Sequence, residues 1–326
     1  MRGRTGLCLA LLVVTGCPED PPTPMDVAFG HDGIDFARLE HELPLTPAQL
    51  QTITPANIEL LSQEHVDQIY GRLSAGPIPD GAFDGDLFLP PGVDGESRLA
   101  EIVGGRLRAY AFAPEGHTVF DAIRNRVRGR LVDFKVGRLE NLGRSLWKGK
   151  VFYRDASATA RPTALLRNRI DDKAIVRLIL RDESEQIMAR PGVEDENLFF
   201  PAKVYCGQSL LDGRRESIVI DYAFSDEQPG YVEKLDRLAG RGGLQIRDEI
   251  RMVRPGFYLG RAYVARAFLL NFTLYNEEIA AEPGEAFLQG QIAEDCWEGP
   301  QREQARRAAA IAKASALATQ LAAGTE

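Results

Sequence analysis

Histidine is scarce in this chain. His31, His41, His65 and His117 are the four, and all precede the strand-rich second half, which argues against histidine-based catalysis there. There is no G-x-S-x-G elbow, no H-E-x-x-H, no C-x-x-C and no P-loop, so the signatures of serine hydrolases, zinc peptidases, dithiol redox enzymes and nucleotide-binding proteins are all missing. His31 and His41 lie in a Pro- and acid-rich stretch, His65 has no second ligand at i+4, and His117 sits in a Pro-Glu-Gly loop. None belongs to a fixed ligand set, and neither a metal nor a cofactor is expected. Gly104-Gly105 and Gly240-Arg241-Gly242-Gly243 lack the strand-glycine-helix context that cradles phosphate. The acidic spacings Asp32 to Asp35 and Asp80 to Asp86 lack the ligand series of a calcium loop and read as solvated turns.

What is present starts with a core-forming composition: 44% of residues are apolar and the net charge is −8. If Arg2 and Arg4 are removed with a leader, the charge becomes about −10, so simple electrostatics disfavours a nucleic-acid partner. The leader is legible. Arg2 and Arg4 make a positive start, Leu7 to Val14 an apolar run, and Thr15-Gly16 a small-residue exit before Cys17. The run is too short to anchor by spanning. Val14-Thr15-Gly16-Cys17 resembles the lipobox of bacterial lipoproteins, which implies a signal peptide over 1–16, acylation of Cys17, and attachment to a membrane through the lipid alone, at ~0.8 kcal/mol per buried methylene. In such proteins an aspartate after the cysteine favours inner-membrane retention. Pro18 stands there instead, which points to the periplasmic face of the outer membrane.

Residues 17–44 carry PEDPPTP and FGHDGIDF and read as a flexible tether. Residues 45–81 form a short-helix segment, with Thr46-Pro47 and Thr54-Pro55 each pairing an N-cap with a first-turn proline. Residues 82–299 make a strand-rich domain with a helical insertion near 95–146, where Arg124, Arg126, Arg128 and Arg130 form either a contact for anionic lipid or a solvated face. An Ala-rich helix over 300–326 ends the chain.

Strand patterns are the strongest signal. AFDGDLFLP, LWKGKVFYRD, TALLRNRI, NLFFPAKVYC, RRESIVIDYAF, QIRDEIRMVR, FYLGRAYV and FLLNFTLY alternate or run apolar, with turn chemistry between several of them. The fold class is α+β: helices, then an antiparallel meander or small barrel of about eight strands, then a C-terminal helix. Trp147 beside Gly149 marks a bulge or sharp bend. Cys206 and Cys296, the pair left in the folded part, read as one disulfide or as two separate buried thiols.

Charges inside strands demand a partner if they face inward. Glu249, Arg251 and Arg261 share a face across Pro255-Gly256. They form either an inward floor beneath Tyr222, Tyr258, Tyr263 and Trp147, or a solvent-facing set. An exported acidic protein with aromatic meander strands, a Gly-Trp element and a terminal helix resembles the lipocalins in architecture. That resemblance implies a lipid-anchored envelope protein binding an apolar or amphipathic small molecule. Because Trp147 precedes its glycine and lies mid-chain, no ligand residue of that family transfers. An enzyme acting on a lipid-like substrate and an envelope scaffold are the other function classes, and no residue is assigned a catalytic role.

Overall fold

The computed structural model describes residues 43–89, 91, 147–155, 157, 161–170, 197–300 and part of 302–316. The signal, nearly all of the tether, Cys17, the insertion near 95–146 and most of the C-terminal helix lie outside the described residues.

Each of the eight patterned runs is a strand. They are β1 Gly81–Phe88, β2 Trp147–Arg154, β3 Ala164–Ile170, β4 Asn197–Gln208, β5 Glu216–Asp221, β6 Ile246–Arg254, β7 Phe257–Val264 and β8 Ala267–Tyr275. Every strand pairs antiparallel with its chain neighbour, and β8 pairs with β1 from Asp84↔Tyr275 to Phe88↔Asn271, which closes the barrel and removes its edges. The inward side chains form one continuous core that includes Phe83, Phe152, Leu166, Val204, Ile218, Ile250, Tyr258 and Phe272.

Outside the barrel, three short helices lie over β6 and β7: α1 Pro47–Thr52, α2 Pro55–Ile58 and α3 Gln63–Arg72. Thr46, Thr54 and Ser62 cap them, each side chain accepting from an N–H of the first turn. Leu50, Ile53, Ile58, Val66, Ile69 and Tyr70 then pack against Val253, Phe257 and Leu259 to make a second apolar layer. No helix among the described residues is long and apolar enough to cross a membrane.

One barrel end is shut. Ala75 and Ile78 of the segment after α3 join the interior core. The Gly76 N–H donates to Glu294 Oε2 at 2.8 Å, the Ile78 N–H to Asp295 Oδ2 at 2.7 Å, and the Tyr258 hydroxyl to Pro77 O at 2.8 Å. Cys206 of β4 is disulfide-bonded to Cys296. Of the two alternatives for this pair, the staple is the one present. The opposite end carries the β1–β2 and β3–β4 connections, which leave after Phe88 and Ile170.

The structure corrects the inward placement of Glu249, Arg251 and Arg261. They do share a face, with Glu249 opposite Arg261 in register, but it is the outer one, and Ile246, Asp248, Ile250 and Met252 take the lumen side of β6. They do not face solvent either, because α3 covers them. Alternation fixes which residues face together, whereas which side lies inside depends on what covers each side, and here both are covered.

Candidate binding site

The site is assembled at the end of the lumen opposite the Cys206–Cys296 disulfide, starting from a defect in β2. Gly149 has φ +131°, a backbone region closed to side chains, and a Cβ there would meet Phe83 O at 2.0 Å. The pairing register shifts between Trp147 and Gly149. This bulge turns Trp147 onto the same face as Lys150 and Phe152, where strict alternation would have set it opposite. Gly85 of β1 makes room for the indole, since a Cβ there would lie 2.3 Å from the Trp147 ring. The Trp147 Nε1–H donates to Asn168 Oδ1 at 3.0 Å, and its ring meets Phe272 edge-on at 5.7 Å.

Lys150 is the centre of the site. It is 2% exposed, and its Nζ donates to Asn168 Oδ1 at 2.9 Å, Tyr222 Oη at 2.7 Å and Asp248 Oδ2 at 2.9 Å. Those three bonds use every proton of an ammonium group. Asn168 Nδ2 donates in turn to Phe200 O at 3.2 Å and Tyr222 Oη at 2.9 Å. The rings of Trp147, Tyr222 and Phe272 stand 5.3, 5.4 and 5.4 Å from the Lys150 nitrogen, a distance at which their negative faces add to its stabilisation. Around this quartet the half-buried Leu87, Trp147, Phe200, Ile246 and Leu270 form an apolar rim packed against the interior core.

Titration follows from that environment. Burial alone pulls the Lys150 ammonium down, yet Asp248 and Tyr222 more than offset it and hold it above the ordinary lysine range. Burial pushes the Asp248 carboxyl up, with Lys150 and Tyr222 pulling it back. Burial also takes the Tyr222 hydroxyl up to about 12, with Lys150 opposing. Lys150 is therefore held as an ammonium, paired with the Asp248 carboxylate. A lysine held as ammonium is not a nucleophile.

No family model, curated protein or solved structure matches this chain.

The remaining residues singled out by sequence are dispersed. Tyr222 and Trp147 belong to the quartet and its rim. Tyr258 is inside the barrel at the shut end, edge-on to Phe83 at 5.7 Å. Arg251 is 0% exposed beneath α3, where its Nε donates to Ser217 Oγ at 2.9 Å and its Nη1 to Tyr70 O at 3.1 Å. Arg261 forms an ion pair with Asp67 of α3, and its Nε donates to the Tyr263 hydroxyl at 3.0 Å. Glu249 Oε1 accepts from the Leu210 N–H at 2.8 Å and from Arg247 at 3.1 Å. The Tyr70 ring lies 4.8 Å from the Arg251 guanidinium and 5.6 Å from that of Arg261. This cluster fastens a helix to the barrel and does not open onto the lumen.

Lys150, Asn168 and Asp248 were missed. One signal pointed to them, a lone carboxylate on the apolar face Ile246, Asp248, Ile250, Met252; Lys150 was masked by Lys148 and Arg154 on the same side of the pleat. A cleft of about 300 Å³ behind Tyr222 is lined by Asp226, Tyr231, Glu233, Arg237 and Arg241. Its charges pair with one another, Arg241 with Asp226 at 2.8 Å and Arg237 with Glu233 at 3.4 Å. Among the described residues, no group of His, Cys, Asp and Glu could hold a metal.

Proposed function

We propose that this protein is a lipid-anchored component of the cell envelope that holds an amphipathic small molecule at the end of its barrel opposite the disulfide. Its polar end contacts Lys150, Asn168, Tyr222 and Asp248, and its apolar body lies along Leu87, Trp147, Phe200, Ile246 and Leu270. One observation carries this reading: a buried ion pair stands beside a rim of partly buried apolar side chains. A few convergent polar groups within mostly apolar walls are what a small-molecule pocket needs, and an ion pair that served packing alone could be exchanged for hydrocarbon at little cost. The Arg2 to Cys17 pattern supports the anchor and the periplasmic face of the outer membrane.

Native mass spectrometry and solvent extraction of the full-length protein from detergent-solubilised membranes test the reading. A co-purifying amphiphile at one per chain, lost on Trp147→Ala, is the expected result. An empty barrel that takes up no amphiphile on incubation overturns it. Cys17→Ser separates the anchor from the pocket: this variant leaves the membrane fraction and keeps its ligand.

A further inference from the structure

Among the described residues, three that are not glycine have a positive φ: Phe200 at +50°, Gln245 at +54° and Ala265 at +58°. Gln245 and Ala265 lie just outside β6 and β7, where the Ala265 N–H donates to Gln245 O at 2.9 Å. Phe200 is different, because it lies inside β4. There Phe200 and Pro201 together stand against Arg167 alone, since the register of β4 on β3 shifts between Asn168↔Phe199 and Leu166↔Ala202. The left-handed position of such a bulge ordinarily belongs to glycine. A bulky side chain there is strained, and the proline that follows favours an extended backbone in the residue before it.

Strain of this kind persists only where the surroundings impose it. Three buried side chains do so. Asp236, 0% exposed, accepts the Phe200 N–H at 2.9 Å with Oδ1 and the Val232 N–H at 2.8 Å with Oδ2. The Asn168 amide donates to Phe200 O at 3.2 Å, and the Ser225 hydroxyl to Pro201 O at 2.6 Å. What they hold in place is a ring. Phe200 is packed, partly buried, against the interior core together with Leu87, Trp147, Ile246 and Leu270. It lies six residues before Cys206 along β4, which puts it about 20 Å from the disulfide end. Relaxing the bulge to an extended φ re-aims that side chain away from the rim.

We propose that Phe200 is a sprung lid: a strained bulge holds its ring over the lumen, and release of the bulge is how the small molecule enters. The purpose of the lid rests on the reading of the barrel as a pocket, but its mechanics do not.

Phe200→Ala and Phe200→Gly both remove the ring, so the difference between them reports the backbone alone. At an ordinary strand position alanine is the more stable of the two. Here the glycine variant is expected to melt about 2–4 °C above the alanine variant. The two tryptophans of the chain are Trp147 and Trp297, so in full-length protein carrying Trp297→Phe, at an exposed position, acrylamide quenching reads Trp147 alone. Both ringless variants should raise the quenching constant at least about twofold. Asp236→Asn keeps the ring but offers two N–H groups a single acceptor oxygen, and well below its melting temperature it should raise quenching in the same direction.

Alanine melting above glycine, or a glycine variant that does not fold, overturns the strain. Quenching equal to the parent in the ringless variants overturns the lid, and quenching unchanged in a folded Asp236→Asn overturns the latch that springs it. Each of these results leaves the amphiphile reading to the co-purification measurement, which decides it separately. An alanine variant too unstable to fold agrees with the strain, and the glycine variant then decides the lid.

Discussion

Asp248 and Glu249 are adjacent on β6, equally deep in the molecule, and belong to different machines. Asp248 turns into the lumen, toward a lysine, a tyrosine and an apolar rim. Glu249 turns outward beneath α3 and joins a seam built on arginine. In that seam Arg251 donates to Tyr70 O, Arg215 to Gly71 O and Leu73 O, Arg254 to Leu50 O and Ile53 O, and Arg302 to Arg72 O. These carbonyls cluster at the C-terminal ends of α1 and α3, where a cation is favoured, and Leu50 O and Tyr70 O also accept the N–H groups of Ile53 and Leu73. The outer set reads as fastening because most of its arginines end on main-chain carbonyls of the helix segment and Arg261 ends on Asp67 of α3. The inner set reads as recognition because its charges end on one another beside partly buried hydrocarbon.

The comparison can be broken by substitution, starting with the largest effect. Lys150→Met leaves Asp248 buried without its cation and should cost about 3–5 kcal/mol at pH 8, with less at acid pH where the carboxyl protonates. Lys150→Met/Asp248→Leu should return to within about 1.5 kcal/mol of the parent while losing ligand. Urea unfolding checks both, and a double variant as unstable as the single would make the pair structural. Serine at Cys206 and Cys296 should cost about 2–5 kcal/mol, since the staple closes a separation of 90 residues at the shut end. The same unfolding curves with and without reductant should differ only in the parent. Arg261→Met should cost about 1–2 kcal/mol by removing the tie between β7 and Asp67 of α3, and it should leave ligand content untouched. Reduced ligand content in that variant would erase the distinction between seam and lumen.

The smallest effect belongs to the shut end. Burial raises the Glu294 carboxyl to about 7, with Ser74 and the Gly76 N–H opposing. A carboxyl raised on folding gives stability that is complete below its unfolded range and is lost as pH rises through 7. Glu294→Gln keeps an acceptor for Gly76 without the charge. Because Glu294 is only half-buried, the variant should exceed the parent by about 1–2 kcal/mol at pH 8 and match it near pH 4. Melting temperatures across that range check it, and parallel curves would refute the raised carboxyl.

All eight strands were legible because aromatic and β-branched alternation carries most of the signal, and the hairpin turns punctuate it. The N-caps were legible for the same local reason. The sidedness of β6 and β7 was not, because their outer face carries Glu249, Arg251 and Arg261 beneath α3, so charge there does not mark solvent. Trp147 illustrates the other limit. Its neighbour Gly149 announced a bulge, but only the three-dimensional register shows that the extra residue rotates the indole into the lumen beside Lys150. The arginines under α3 escaped because their partners are main-chain carbonyls, which leave no trace in composition.

The closure of β8 on β1 sets an order of events for the growing chain. Every other pairing joins consecutive strands and can form as each hairpin is completed, but Asp84 and Tyr275 must wait for nearly the whole domain. Until the segment 267–275 is available, β1 and β7 each expose a row of unpaired amides and carbonyls, in a protein whose strands are aromatic and apolar. A chain truncated just before residue 267 should therefore form mainly aggregates rather than a seven-stranded monomer, and the time spent with both edges open is when this molecule most depends on being kept apart from its own copies.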